Sequence, residues 1–323
     1  MHILIVNNTK IPAVDYGGVE RVIWWLGKFL KRSGHKISYL VAPGSECSFA
    51  QVLKYDPSVA LNQQIPDSVD FVHMCFQTKE QLKKPYLMMH QYNEHFSDEF
   101  DINTVFVSQN QAARNKSQCY VHNGIDPDEY GPVEFSNPRK YLLFVGWASR
   151  PEKNLRDCLH IARKTGNVLA VLGGRDKWFK RRPWVKYQGF IGGEAKNEFF
   201  RQGKALLFPV RWEEPCAVAL FESFYFGCPV FGSRYGCLPE LINDELGFLS
   251  NSRFELAEAV KNRLPQYNPK RIHEYACEHL SAKRMTENYL RLYEKVLSGK
   301  TLNEKRPVNG GNFSRDNLLP IYP

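Results

Sequence analysis

The chain has 323 residues, 43% hydrophobic and 24% charged, a globular composition that sets bulk disorder aside and leaves room for two α/β domains with separate cores. No apolar run approaches the roughly 18 residues needed to cross a bilayer, and MHILIVNNTK has neither the basic flank nor the cleavage pattern of a secretory leader, so a cytoplasmic protein is expected. The formal charge of +9 favours polyanionic ligands without choosing among a phosphate-bearing substrate, a membrane surface and a nucleic acid.

In chain order, residues 2 to 8 read as a first strand and 18 to 32 as an amphipathic helix. Residues 35 to 42 return to strand character, which together make a parallel βαβ unit. Strand-like runs follow at 69 to 75, 85 to 89, 104 to 108 and 118 to 121. The Pro- and Gly-bearing stretch 123 to 140 then reads as a linker. The pattern restarts with strands at 141 to 146, 168 to 174, 185 to 188, 205 to 210 and 229 to 233, interleaved with helices at about 153 to 165, 194 to 202 and 215 to 226. The expected fold is α/β, with two Rossmann-like doubly wound parallel-sheet domains facing across a cleft. Their expected bounds are 1–137 and 138–280, with a helix at 281–298 returning to the first domain and a poorly ordered tail at 299–323. Eight cysteines show neither a C-x-x-C pair nor metal-ligand spacing, so they read as reduced packing residues.

In open parallel sheets, ligands bind beyond the carboxyl ends of the strands, where helix N-termini offer unpaired N–H groups. Three loops fit. Gly17 and Gly18 open the first helix and let the backbone approach a ligand. Arg150 and Lys153 in VGWASRPEKN precede another helix, where a cation costs a few tenths of a kcal/mol unless an anion lies nearby. The third is FPVRWEEPCAVALFE, in which Pro215 suits a first helical turn, leaving Glu214 in the loop and Glu222 within the helix. Eight helical residues rise about 12 Å, so the two carboxylates would touch different parts of one long ligand. Glu222, among apolar neighbours, needs a hydrogen-bonding partner from the protein or from a ligand. Between Arg175 and Lys186, basic residues interleave with Trp178, Phe179 and Trp184. That segment reads either as a solvated loop with its aromatics turned to the core or as a surface for anionic lipid or single-stranded nucleic acid.

These motifs, in this order over roughly residues 1 to 297, resemble the family 4 retaining glycosyltransferases of the GT-B fold. The resemblance implies that Gly17 and Gly18 meet the donor diphosphate, that His90 at the end of PYLMMH contacts the transferred sugar, and that Lys153 binds the diphosphate. It places Glu214 near the transferred sugar and Glu222 on the ribose hydroxyls. VHNGIDPDEY and GCPVFGSRYGCLPELI match the segments that close the first domain and the signature. Two departures stand out. Trp147 replaces the usual arginine, leaving Arg150 as an inferred phosphate ligand, and Cys216-Ala217 replaces Phe-Gly in the sugar cradle.

The implied reaction moves a sugar from a UDP- or GDP-sugar to a glycan or lipid-linked acceptor. It needs no metal or cofactor, because Arg150, Lys153 and the helix N-termini at Gly18 and around Val218 stabilise the departing diphosphate, with Cys216, Ala217 and Val218 among the donor-binding residues. No nucleic acid partner is expected, and a peripheral membrane contact stays open. The alternatives are a nucleotide-sugar 2-epimerase of the same fold and a catalytically silent sugar- or nucleic-acid-binding module.

Overall fold

Apolar runs become strands, and helices follow many of them, giving two separate parallel sheets. The computed structural model describes residues 1–13, 17–93, 98–175, 182–311 and 317–323. They divide into two units. One holds 1–13, 17–126 and 281–311, and the other holds 127–280 and 317–323. The first division falls after Asp126 rather than at 137.

In the first unit the strands are β1 (His2–Val6), β2 (Lys36–Val41), β3 (Gln51–Lys54), β4 (Phe71–Met74), β5 (Tyr86–His90) and β6 (Thr104–Phe106). They stand in the order β3-β2-β1-β4-β5-β6, all parallel. Strands buried on both faces need apolar residues at successive positions, as HILIV and FVHM show. Helix α1 (Gly18–Arg32) buries Val22, Ile23, Trp25, Leu26 and Leu30 along one stripe. Two short helices follow, α2 (Leu61–Gln64) and α3 (Gln109–Arg114). Residues 118 to 121 form no strand: Tyr120 makes a single bridge to Phe106.

The second unit carries β7 (Tyr141–Val145), α4 (Leu155–Lys164), β8 (Val168–Leu172), β9 (Val185–Tyr187), α5 (Gly193–Arg201), β10 (Gly203–Phe208), α6 (Val218–Tyr225) and β11 (Val230–Gly232). It continues with α7 (Leu238–Leu241), β12 (Gly247–Leu249), α8 (Arg253–Asn262) and α9 (Pro269–His279). Its sheet runs β12-β11-β10-β7-β8-β9, the strand order of the first sheet renumbered. The core beneath it joins Leu142, Phe144, Leu207 and Phe231 to Ile161 of α4 and Leu256 of α8.

Helix α10 (Ala282–Leu297) belongs to the first unit. Ser281 caps it, the Ala282 N–H donates to Ile125 O at 2.7 Å, and Met285, Tyr289 and Tyr293 are buried. Tyr293 Oη and His73 Nδ1 share a 2.7 Å hydrogen bond, and the Tyr293 ring lies 4.4 Å from Phe71. The described residues after it are ordered, against expectation. Phe100 N–H donates to Pro307 O, Asn303 N–H to Ile102 O and Val308 N–H to Asn115 O, while residues 317–323 bond to the second unit. Pro307, Pro320 and Pro323 restrict the backbone of this tail.

Candidate active site

Sheets of this order have a crevice where neighbouring strands send their helices to opposite sides, and in the second unit that point lies between β7 and β10. The loop after β7 carries Lys153 and the loop after β10 carries Glu214. Two bonds tie these loops together before either side chain is considered: Arg211 N–H donates to Glu152 O at 2.8 Å, and Asn154 Nδ2 donates to Pro209 O at 2.8 Å. Asn154 is left-handed, with φ 57° and ψ 47°, and caps α4. The loop after β7 also passes close to the next strand end, since a Cβ on Gly173, at φ +134°, would lie 1.9 Å from Gly146 O.

Within this frame, Lys153 Nζ sits 2.6 Å from Glu214 Oε2, with side-chain exposures of only 13% and 5%. Trp212 Nε1 donates to the same oxygen at 2.8 Å, and the lysine ammonium lies 4.5 Å above the Trp212 ring. A cation just before a helix favours an anion beside it, and the protein supplies one to Lys153 as Glu214. Glu214 is fixed through its backbone as well: Cys237 N–H donates to Glu214 O at 2.9 Å. Gly236, at φ +62°, passes so near that a Cβ there would lie 2.2 Å from Glu214 N. Sequence reasoning missed Trp212 and Asn154, although both flank the selected charges in RWEEP and PEKN.

Pro215 is not in the first turn of α6, as the sequence suggested. The helix begins at Val218 with Ala217 at its N-cap, because Glu214 and Cys216 are held to the 236–237 turn, Cys216 by a side-chain hydrogen bond with Cys237. Glu214 and Glu222 therefore do not share a helix, and the helical spacing between them does not apply. Ala217 has no side chain able to cap, so the first-turn N–H groups at Val218 and Ala219 retain their pull on an anion. Glu222 is 2% exposed, and its Oε1 accepts from Lys196 Nζ at 2.5 Å and Tyr130 Oη at 3.0 Å. The partner it required is thus an internal lysine on α5.

Arg150 lies with its guanidinium 4.9 Å over the Trp147 ring, and Trp147 meets Phe190 edge-on at 4.8 Å. Of the aromatic-basic segment, 176–181 lies outside the described residues, Trp184 packs against the core, and Lys186 reaches Tyr141 Oη at 3.0 Å. In the first unit, His90 ends β5, is 6% exposed, and stands edge-on to Phe100 at 4.9 Å. Gly17 is the N-cap of α1, and Gly18 is its first residue. Glu20 of the first turn folds back against Gly17, where its Oε2 would lie 2.6 Å from a Cβ. His95, a few residues after His90, lies outside the described residues. Among the described residues no three His, Cys, Asp or Glu gather as a metal site, and no helix is long and apolar enough to cross a membrane.

Residues 139–265, which include both loops, match the family model described as Glycosyl transferases group 1. An uncharacterised 41.2 kDa protein in the cps region of Klebsiella pneumoniae is 30% identical over 118 residues, 34% of this chain and 32% of that protein. The chain thus spans about a third of the length of the curated relative it matches. AviGT4, a glycosyltransferase involved in avilamycin A biosynthesis, superposes with a TM-score of 0.79 at 20% identity, covering 93% of this chain and 99% of that one. Sucrose-phosphate synthase from Thermosynechococcus elongatus gives 0.71 at 16% identity, over 93% and 100%. HepE from Anabaena, in complex with UDP and glucose, gives 0.65 at 14% identity, over 91% and 100%. The chain therefore has the two-domain α/β fold of the GT-B glycosyltransferases, and its second unit carries the group 1 sequence pattern.

Proposed function

We propose that this chain is a retaining glycosyltransferase that takes a sugar from a nucleotide-sugar and passes it to a glycan or lipid-linked acceptor without a metal ion. The observation that carries the reading is the Lys153–Glu214 pair at the switch point of the second sheet, beside the uncapped start of α6. The group 1 match over these residues supports it. HepE, which shares the fold, is in complex with UDP and glucose, so a UDP-sugar is the first donor to test and a GDP-sugar the second.

In this reading the Lys153 ammonium turns one of its three protons to the diphosphate while the N–H groups at Val218 and Ala219 receive another phosphate oxygen. Arg150 leaves the Trp147 face to add a third contact. These donors are fixed before the reaction, so charge appearing on the leaving group meets a prepared field and no metal has to supply it. Glu214, held by Trp212, faces the transferred sugar, as Cys216 and Ala217 shape its cradle. Glu222, with Lys196, accepts from the ribose hydroxyls. His90 and the Gly17–Gly18 turn are proposed to contact sugar and diphosphate, the latter once Glu20 has swung aside. The anomeric carbon–oxygen bond to the diphosphate breaks as the acceptor oxygen bonds to the same face of that carbon, and the acceptor proton passes to a diphosphate oxygen.

The test is transfer from UDP- and GDP-sugars in EDTA. Full activity is expected for the parent chain, and none for Lys153→Ala or Glu214→Ala, with circular dichroism and a cooperative melt retained in both. Parent-level turnover in either variant, or activity lost on chelation, would overturn the respective part of the reading.

A further inference from the structure

Residues 317–323, NLLPIYP, make six hydrogen bonds to the rest of the second unit, and their partners are not scattered. Leu319 N–H donates to Arg211 O at 2.9 Å, and Arg211 Nε returns a bond to Leu319 O at 2.9 Å. Tyr235 Oη donates to Pro320 O at 2.6 Å. Tyr322 N–H donates to Asn251 O at 2.7 Å, and Arg253 N–H donates to Tyr322 O at 2.9 Å. Ser252 Oγ donates to Pro323 O at 2.8 Å. Arg211, Tyr235 and Asn251 follow the ends of β10, β11 and β12, so one short segment laces three consecutive strand-end loops. Those loops are already cross-braced, with Arg234 N–H on Asn251 Oδ1 at 2.8 Å and Gly236 N–H on Glu213 Oε2 at 2.7 Å.

We infer that residues 317–323 are a positioning element for the proposed transfer: by gripping Arg211 from both its carbonyl and its guanidinium, and Tyr235 from across the turn, they hold Trp212 and Glu214 in place. This rests on the transfer reading above. Arg211 is the residue before Trp212, whose indole orients Glu214. Tyr235 is the residue before Gly236, which closes on the Glu214 backbone. Loops of this kind ordinarily contribute local mobility at a strand end. Here both flanks of Glu214 are tied to a segment distant in sequence, Arg211 across 108 positions and Tyr235 across 85. Pro320 and Pro323 lack N–H groups and have restricted φ, so the segment offers mainly acceptors and loses less backbone freedom on docking. Catalytic groups must be held to well under an ångström, and a displacement of about 1 Å can cost about a hundredfold in rate.

The experiment compares the full chain with one lacking 317–323, by hydrogen–deuterium exchange and by steady-state transfer from UDP-glucose. Loss of exchange protection over 209–216 and 234–237, with β7 and β8 unchanged, is expected in the deletion. So is a fall in kcat of about tenfold or more with donor KM altered less than about threefold, since geometry rather than donor grip is lost. The peptide NLLPIYP added in trans should restore both, and a scrambled peptide neither. Unchanged protection over 209–216, or unchanged kcat, overturns the inference. If the deletion does not fold, Tyr235→Phe, which removes one hydroxyl bond, should speed exchange in both loops; no change in exchange would overturn the inference. Exchange reads the lacing whether or not sugar is moved. A full chain inactive with every donor tried would sink the transfer reading, while lost protection in the deletion would still support the lacing.

Discussion

At the residue scale, the site turns on which partners a charge is given. Lys153 and Glu214 are each largely removed from water, and both would be costly alone. Trp212 serves the pair twice: its N–H takes one lone pair of Glu214 Oε2, and its ring face receives the Lys153 cation. Trp212→Phe keeps a ring beneath the cation and removes the donor. A hydrogen bond to a charged group is worth about 1.5–3 kcal/mol, and only part of that should be felt in the transition state. We expect kcat to fall about tenfold with donor KM nearly constant, whereas Trp212→Ala, which also loses the ring, should fall further. Steady-state kinetics of the two variants check this: parent-level activity in Trp212→Phe would remove the indole N–H from the account, and equal activities for Phe and Ala would remove the ring. The charges themselves were legible in the sequence, since Lys153, Glu214 and Glu222 are the polar residues at strand ends and in apolar surroundings. Their pairing was not legible: Lys196 lies 26 positions from Glu222 and Lys153 lies 61 from Glu214, and nothing local records such distances.

At the element scale, α10 is joined to the first sheet through a titratable group. His73 sits in mid-strand on β4, fully buried against Tyr289 and Tyr293, and desolvation lowers its pKa from the ordinary 6.5 to about 3. The folded chain therefore keeps it neutral where an unfolded chain would protonate it. A folded pKa below the unfolded one means the stabilisation is present above pH 6.5 and is lost as pH falls from 6.5 towards 3. The loss should approach about 1.4 kcal/mol per pH unit within that window. Urea midpoints of parent and His73→Asn chains measured from pH 8 to pH 4 should converge as the solution is acidified, and parallel curves would show that His73 does not set the slope. Some of the long elements were readable: α1 and α10 carry their apolar stripes at helical spacing, and β7 and β8 are nearly continuous apolar runs, whereas α8 and α9 were not read. The edge strands β3 and β12 were not, because four or three residues have too little pattern to stand out. The start of α6 was misplaced because the bonds that keep residues 214–217 out of the helix come from the 236–237 turn.

At the scale of the whole molecule, the two units have the same strand order and opposite chain logistics. The core of the second is drawn from 127–280 without interruption, with 317–323 added at its strand ends. The first is incomplete without 281–311, which lies 155 positions beyond residue 126 at its start. Met285, Tyr289 and Tyr293 are buried, the two tyrosines against His73 and Phe71 of the first sheet, and removing them would expose apolar surface worth about 1.5–3 kcal/mol for each side chain. That sum is comparable with the whole stability of an ordinary domain, about 5–15 kcal/mol. Asn303 adds bonds to Ile102 O and Thr104 O at 2.9 Å each along the β6 edge. The piece 127–280 expressed alone should therefore melt cooperatively, while 1–126 alone should not. Adding residues 281–311 as a peptide should restore a cooperative transition to 1–126, followed by calorimetry and by loss of dye binding to exposed apolar surface. A cooperative melt of 1–126 without the peptide would mean that the parallel sheet and α1 suffice, and that α10 is packed on a domain already able to stand.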